Sequence, residues 1–163
     1  MSYKVTVERN ALRFAAGHFA TFDGKCESLH GHNYDVIVEV EGALTEDSWV
    51  VDFGTLKSIS RAICQSLDHK FLLQHESKVL QIDEGKSNWK IRFEEKGWVF
   101  PKADVLALSI DNTTAERLAE WFAGRLRAAL VEGGATNLTS ITVGLEEMPG
   151  QTGWYTERMV GGQ

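Results

Sequence analysis

The stretch from Tyr34 to Glu41 alternates between two kinds of residue. Tyr34, Val36, Val38 and Val40 fall on one side of an extended chain, and Asp35, Glu39 and Glu41 on the other. Successive strand side chains point to opposite faces, so this segment is a strand with one buried and one wet face. A period of two excludes a helix here. It also requires a layer to cover the valine face, which is the usual setting of an antiparallel sheet with one solvated side.

The covering layer is legible further along. Leu56, Ile59, Ile63 and Leu67 recur at helical spacing after Asp52 and predict a helix over 54–67. Leu118, Phe122, Leu126 and Leu130 predict a second over 114–131, with Thr113 and Glu116 as a capping box and Gly133-Gly134 at its end. Val5, Val7 and the run 12–19 read as strand, followed by an Asp23-Gly24 turn. Residues 141–147 and 154–159 read as closing strands. Between the helices, 90–93 and 98–100 are expected to pair across Glu94–Gly97, and 105–110 to add a strand. The expectation is a single domain over 1–163, with a variable insertion around 75–108. The order of elements implies α+β, with two helices packed on one face of an antiparallel sheet.

Charge narrows the function. The net charge is -6 and no basic run is present, so phosphate neutralisation, the source of non-specific nucleic-acid affinity, is not expected. No apolar run is long enough to cross a bilayer, and the first ten residues lack a signal-peptide core. The expected location is the cytoplasm, where Cys26 and Cys64 stay free thiols.

Three of the five histidines, His18, His30 and His32, lie close together in sequence. His30 and His32 share a strand face with Val36, Val38 and Val40, and the Asp23-Gly24 turn returns His18 to the same place. Three imidazoles at a half-buried point suit Zn²⁺, and leave its fourth position open, as in catalytic rather than structural sites. Cys26 and Glu27 precede His30 closely. A thiol near a metal is a candidate base or nucleophile, although a small buried thiol is also an ordinary core residue. Asp68-His69 is either an oriented carboxylate–imidazole pair or a helix terminus. Glu147 shares parity with Val143 and Leu145, hence with the packed side, whereas Glu146 faces away. A strand-end carboxylate can accept two parallel N–H bonds from a guanidine-like ring edge.

Several strings in order resemble the 6-pyruvoyl-tetrahydropterin synthase / 6-carboxy-tetrahydropterin synthase family. They are Phe14-Ala15-Ala16-Gly17-His18, Cys26-Glu27-Ser28-Leu29-His30-Gly31-His32-Asn33-Tyr34, Val51-Asp52-Phe53, Leu67-Asp68-His69, Thr114-Ala115-Glu116, and Glu147 with Tyr155. The resemblance implies the tunnelling fold, whose subunits form barrels, commonly homohexamers of two stacked trimers with active sites shared between neighbours. It implies zinc on His18, His30 and His32, Cys26 as general base, and Asp68 and His69 as relay partners from another subunit. Glu147 would anchor the pterin substrate and Thr114 would help line its pocket. The implied reaction turns 7,8-dihydroneopterin triphosphate into 6-carboxy-5,6,7,8-tetrahydropterin, a step toward queuosine, or into 6-pyruvoyl-tetrahydropterin. Family members that cleave the side chain to 6-hydroxymethyl-dihydropterin for folate carry Glu-x-x-His-Gly-His instead of the Cys pattern. This chain carries both, so Glu27 is a second catalytic candidate. A zinc- and pterin-binding protein without turnover and a thiol hydrolase are the competing classes.

Overall fold

The computed structural model describes residues 1–159. The alternating segment lies in β4 (His30–Gly42), and its antiparallel partner is β1 (Tyr3–His18). The pairing runs from Tyr3 opposite Gly42 to His18 opposite His30. β1 runs unbroken through Val5, Val7 and most of the run 12–19 that the sequence marks as strand. Its buried apolar residues, among those described, are Val7 in the first half, then Leu12, Phe14 and Ala16, an odd phase followed by an even one. A bulge reconciles them: Arg9 and Asn10 take φ of 62° and 53°, and the register shifts between Glu8 and Arg13. Both halves thereby keep their apolar side chains on one face.

β10 (Leu138–Met148) pairs with the other edge of β4, and β11 (Gln151–Arg158) pairs with β10. On the far side of β1 lie β5 (Lys70–Gln74) and β9 (Val105–Leu108), both in parallel pairings. The six-strand order is β11-β10-β4-β1-β5-β9. The sheet is therefore antiparallel across its four long strands, with a short parallel annex. The annex was not anticipated as such, because β5 is a brief apolar run that neither periodicity nor length identifies.

Helices α1 (Phe53–Leu67) and α2 (Ala115–Glu132) both cover the valine face. Leu56, Ile63, Phe122 and Leu126 share one core with Val36 and Val38. Asp52 caps α1 by accepting from the Thr55 N–H at 2.7 Å. The cap of α2 corrects the expectation. Thr114, not Thr113, is the N-cap, and its hydroxyl accepts from the Arg117 N–H at 3.3 Å. Three residues on from Thr114 stands an arginine, so Glu116 closes no capping box. Thr113 is fully buried, and its hydroxyl donates to the Phe19 carbonyl at 2.9 Å.

Two smaller sheets complete the fold. β2 (Thr21–Phe22) and β3 (Lys25–Cys26) flank the expected turn, where Asp23 and Gly24 take φ of 47° and 65°. Positive φ at both central residues is the type I′ hairpin requirement. β6 (Gln81–Glu84), β7 (Asn88–Phe93) and β8 (Lys96–Pro101) form a three-stranded sheet that includes the expected hairpin. It carries a second apolar cluster, in which Trp89 and Ile91 pack with Phe19, Cys26 and Phe71. Among the described residues, no helix is long and apolar enough to cross a membrane.

The cap assignment is testable by urea titration. Thr114→Ala is expected to lose about 1 kcal/mol of stability, and Glu116→Ala distinctly less. A Thr114→Ala protein as stable as the wild type, with the loss falling on Glu116→Ala instead, would overturn the Thr114 cap.

Candidate metal centre and active-site cleft

The register of β1 on β4 puts His18 directly across from His30, with His32 two residues further along the same face. Gly31 between them permits the close strand approach, since a Cβ there would lie 2.9 Å from the Ala16 carbonyl oxygen. One ligand atom from each imidazole falls within 4.8 Å of the others.

Hydrogen bonding sets the tautomers. His18 Nδ1 lies 3.0 Å from the Thr113 carbonyl oxygen, and His30 Nδ1 lies 2.7 Å from that of Ser28. A carbonyl only accepts, so each Nδ1 carries the proton and each Nε2 presents a lone pair. This is the outer arrangement that metal-ligating histidines ordinarily have. His18 is 2% exposed, and its Nε2 has no hydrogen-bond partner. A buried lone pair left unmatched carries a desolvation cost that a cation removes. Burial, followed by the charges of His30 and His32, holds His18 down to about 4. His32 is also lowered, by burial and then by His30. Neutral imidazole is the ligating form. The donor set fits a zinc ion with an open coordination position.

A cleft of about 490 Å³ opens beside this cluster, lined by His18, His30, Glu27, Glu147, Thr114 and Gly153 among others. Gly153 lets β11 close on the start of α2, because a Cβ there would meet the Glu116 nitrogen at 2.7 Å. The Glu147 carboxylate lies 4.0 Å from His18 Nε2. Burial, then the charge of Glu27, raises its pKa above the usual carboxylate value. Glu146 faces away, accepting from the Gly150 N–H at 3.3 Å. The parity argument for Glu147 therefore agrees with the geometry. Glu27 lies 4.0 Å from His30 Nε2 and accepts from the Ala20 N–H at 2.9 Å.

Cys26 does not join this cleft. Its side chain belongs to the apolar cluster with Phe19, Trp89 and Ile91. Burial pushes the thiol up, against the smaller lowering effect of Lys96. A raised pKa is the opposite of what an activated thiolate needs. The physical reason is alternation: adjacent extended residues point apart, and Glu27 takes the direction toward the imidazoles. Asp68 and His69 do pair, at 2.8 Å, and Asp68 also accepts from the Ala15 N–H at 2.8 Å. Within one chain, however, His69 opens onto a separate depression with Lys70 and Asp104, backed by His30 and His32. Its side chain is 83% exposed. Sequence reasoning missed two supports. The Thr113 carbonyl binds His18 across 95 positions, and Lys96 Nζ donates to the Cys26 carbonyl at 2.8 Å across 70. No local pattern announces contacts at such separations.

Two helices on one face of this sheet, with three imidazoles at the end of its central strand pair, define the pterin-synthase class of α+β enzymes. The family model for 6-pyruvoyl tetrahydropterin synthase matches residues 6–158, and the chain belongs to that family. A Methanocaldococcus jannaschii protein provisionally named 6-carboxy-5,6,7,8-tetrahydropterin synthase is 34% identical over 145 residues, spanning 88% of this chain and 89% of its own. The 6-carboxy-5,6,7,8-tetrahydropterin synthase of Haemophilus influenzae is 32% identical over 114 residues, spanning 64% and 70%. Plasmodium vivax 6-pyruvoyltetrahydropterin synthase superposes with a TM-score of 0.91 at 30% identity, covering 98% of this chain and 99% of its own. Two further structures of that protein carry substitutions of a catalytic glutamate, to Ala and to Cys.

The depressed His18 has a consequence for the metal-free protein. Its folded pKa of about 4 lies below the ordinary 6.5, so the unfolded chain binds the extra proton first. Stability is then full above pH 6.5 and falls as pH drops toward 4, by on the order of 3 kcal/mol from this group. Urea midpoints across that range are expected to show the fall in the wild type and to lose this component in His18→Gln.

Proposed function

We propose that this chain is a zinc-dependent tetrahydropterin synthase acting on a 7,8-dihydroneopterin-type substrate, with Glu27 as the base of this subunit. The observation that carries the reading is the unpartnered, buried Nε2 of His18, flanked by His30 and His32, in a cleft that also holds Glu27 and Glu147. His18, His30 and His32 would hold the zinc, which supplies Lewis-acid binding of the side-chain hydroxyls and acidification of the neighbouring carbon-bound protons. Glu147 accepts the 2-amino and ring N–H groups of the pterin, and its partly buried carboxylate favours a paired cation-like edge over water. Thr114 bounds the same space. Glu27 is positioned for proton transfer because the Ala20 N–H holds one of its oxygens.

The family and the named relatives favour the 6-carboxy or 6-pyruvoyl product from the triphosphate. A second reading, side-chain cleavage to 6-hydroxymethyl-dihydropterin, is favoured by the placement of Glu27 toward the imidazoles and Cys26 away from them. A catalytic glutamate in the Plasmodium vivax relative is in keeping with a carboxylate in this role. Asp68 and His69 are assigned to a neighbouring subunit's site in a homo-oligomer, a hexamer by the family pattern. The exposure of His69 and its opening onto a depression other than the Glu147 cleft support that assignment. Among the described residues lining the cleft there is no lysine or arginine, so cations for a triphosphate would come from the neighbour as well. Within residues 75–108, expected as a variable insertion, the β6–β8 sheet is read as the part that walls the Glu27 hairpin, through Trp89 and Ile91 against Cys26, whereas β9 belongs to the main sheet.

Three measurements test this. Metal analysis is expected to find one zinc per chain in the wild type and a large loss in His32→Ala. Undiminished zinc in that variant would remove the ligand assignment. Product analysis with dihydroneopterin triphosphate and with dihydroneopterin is expected to show severe loss of turnover in Glu27→Ala and substantial retention in Cys26→Ala. The reverse pattern would return the base to the thiol. Glu147→Ala is expected to weaken binding of a non-reactive pterin by about 2–5 kcal/mol, with Glu146→Ala near wild type.

A further inference from the structure

Behind the histidine cluster lies a buried polar network that the proposed chemistry does not use. Its centre is Gln74, at the end of β5 and 1% exposed. The Gln74 Oε1 lies 3.1 Å from the Thr113 hydroxyl, whose one proton it shares with the Phe19 carbonyl, and accepts from the Thr113 N–H at 3.3 Å. Its Nε2 donates to the Thr21 hydroxyl at 3.1 Å and to the Ser77 hydroxyl at 3.4 Å. The backbone N–H of Thr113 can only donate, so it marks the oxygen end of the amide, and both N–H groups at the other end meet hydroxyls, which fixes its orientation. Asn112 closes the ring. Its Oδ1 accepts from the N–H groups of Thr21 and Thr113, both at 3.0 Å, and its Nδ2 donates to the Thr21 carbonyl at 2.7 Å.

The two ends of this network are functional positions. Thr113 presents the carbonyl that holds His18 Nδ1–H. Thr21 belongs to the β2–β3 hairpin, whose far strand leads into Glu27 and pairs Thr21 with Cys26. We infer that Gln74 is a positioning residue: its amide locks the Thr113 carbonyl that orients His18, and ties that carbonyl to the hairpin that carries Glu27. A buried glutamine costs stability unless its bonds are made, and a leucine would serve packing alone. Outer partners of metal-ligating histidines set metal affinity by fixing ring and tautomer. This inference rests on the reading of the three histidines as a zinc site, but it makes a separate claim about the metal-free protein.

The test uses Gln74→Met, which keeps length and removes all four hydrogen bonds. In Thr113→Val, the second variant, the carbonyl and the shape remain but the hydroxyl is gone. Zinc affinity is measured by competition with a chromophoric chelator, and the His18 tautomer by nitrogen-15 NMR of the metal-free protein. The expected result is about 10–100-fold weaker zinc binding and loss of the single Nδ1–H signature. A lowered urea midpoint with zinc affinity within twofold of wild type and an unchanged tautomer would show a structural role only and overturn the inference. If Gln74→Met does not fold, Thr113→Val carries the same two readouts. If the wild type takes up no zinc, the metal reading fails, and the tautomer measurement still decides the role of Gln74.

Discussion

The antiparallel pairing of β1 with β4 is the constraint on which the other features depend. Its register sets His18 opposite His30 and aligns the buried residues of both strands beneath the helices. A slip of one residue would send every side chain of one strand to the other face. The imidazoles would then part company, and the valine face would meet water. The fold and the metal centre are therefore specified by the same ladder. The bulge at Arg9 and Asn10 belongs to that specification, because it lets the two halves of β1 use opposite sequence phases while serving one core.

The cost of the site is concentrated on His18. It is buried, neutral and equipped with a lone pair that no protein group meets. Such an atom persists because the surrounding structure determines it from several sides. The Thr113 carbonyl directs the ring, and the start of α2 holds Thr113 in place. Tyr34 packs edge-on, with ring centroids 6.0 Å apart. The same arrangement that weakens the metal-free protein in acid prepares a ligand in its metal-binding form. Stability and readiness to bind oppose each other at this residue.

Cys26 and Glu27 show how one peptide unit separates two chemistries. Both stand close to His30 in sequence, and both have a reactive side chain. The hairpin is extended there, so the pair cannot face the same way. The thiol enters an apolar cluster built largely by the β6–β8 sheet, and the carboxylate enters the cleft. Burial raises the thiol's pKa, whereas the carboxylate keeps a backbone N–H donor from Ala20. Proximity along the chain proposed two candidates, and local direction distinguishes them.

Much of this was readable before any coordinates. The period of two in 34–41, the leucine stripes of α1 and α2, the Asp23-Gly24 turn and the shared face of His30 and His32 all follow from local periodicity. So do the opposite directions of Glu146 and Glu147. These are short-range properties, determined by which way neighbouring side chains point. The parallel annex of β5 and β9, the cap at Thr114, the burial of Cys26, and the links from Thr113 and Gln74 to the site came only with the tertiary structure. Each depends on segments brought together across tens of residues. A hydrogen bond between His18 and the backbone of residue 113 leaves no mark on the sequence around either one, because any residue supplies a carbonyl. Only the closure of the sheet and the docking of α2 decide which carbonyl it is.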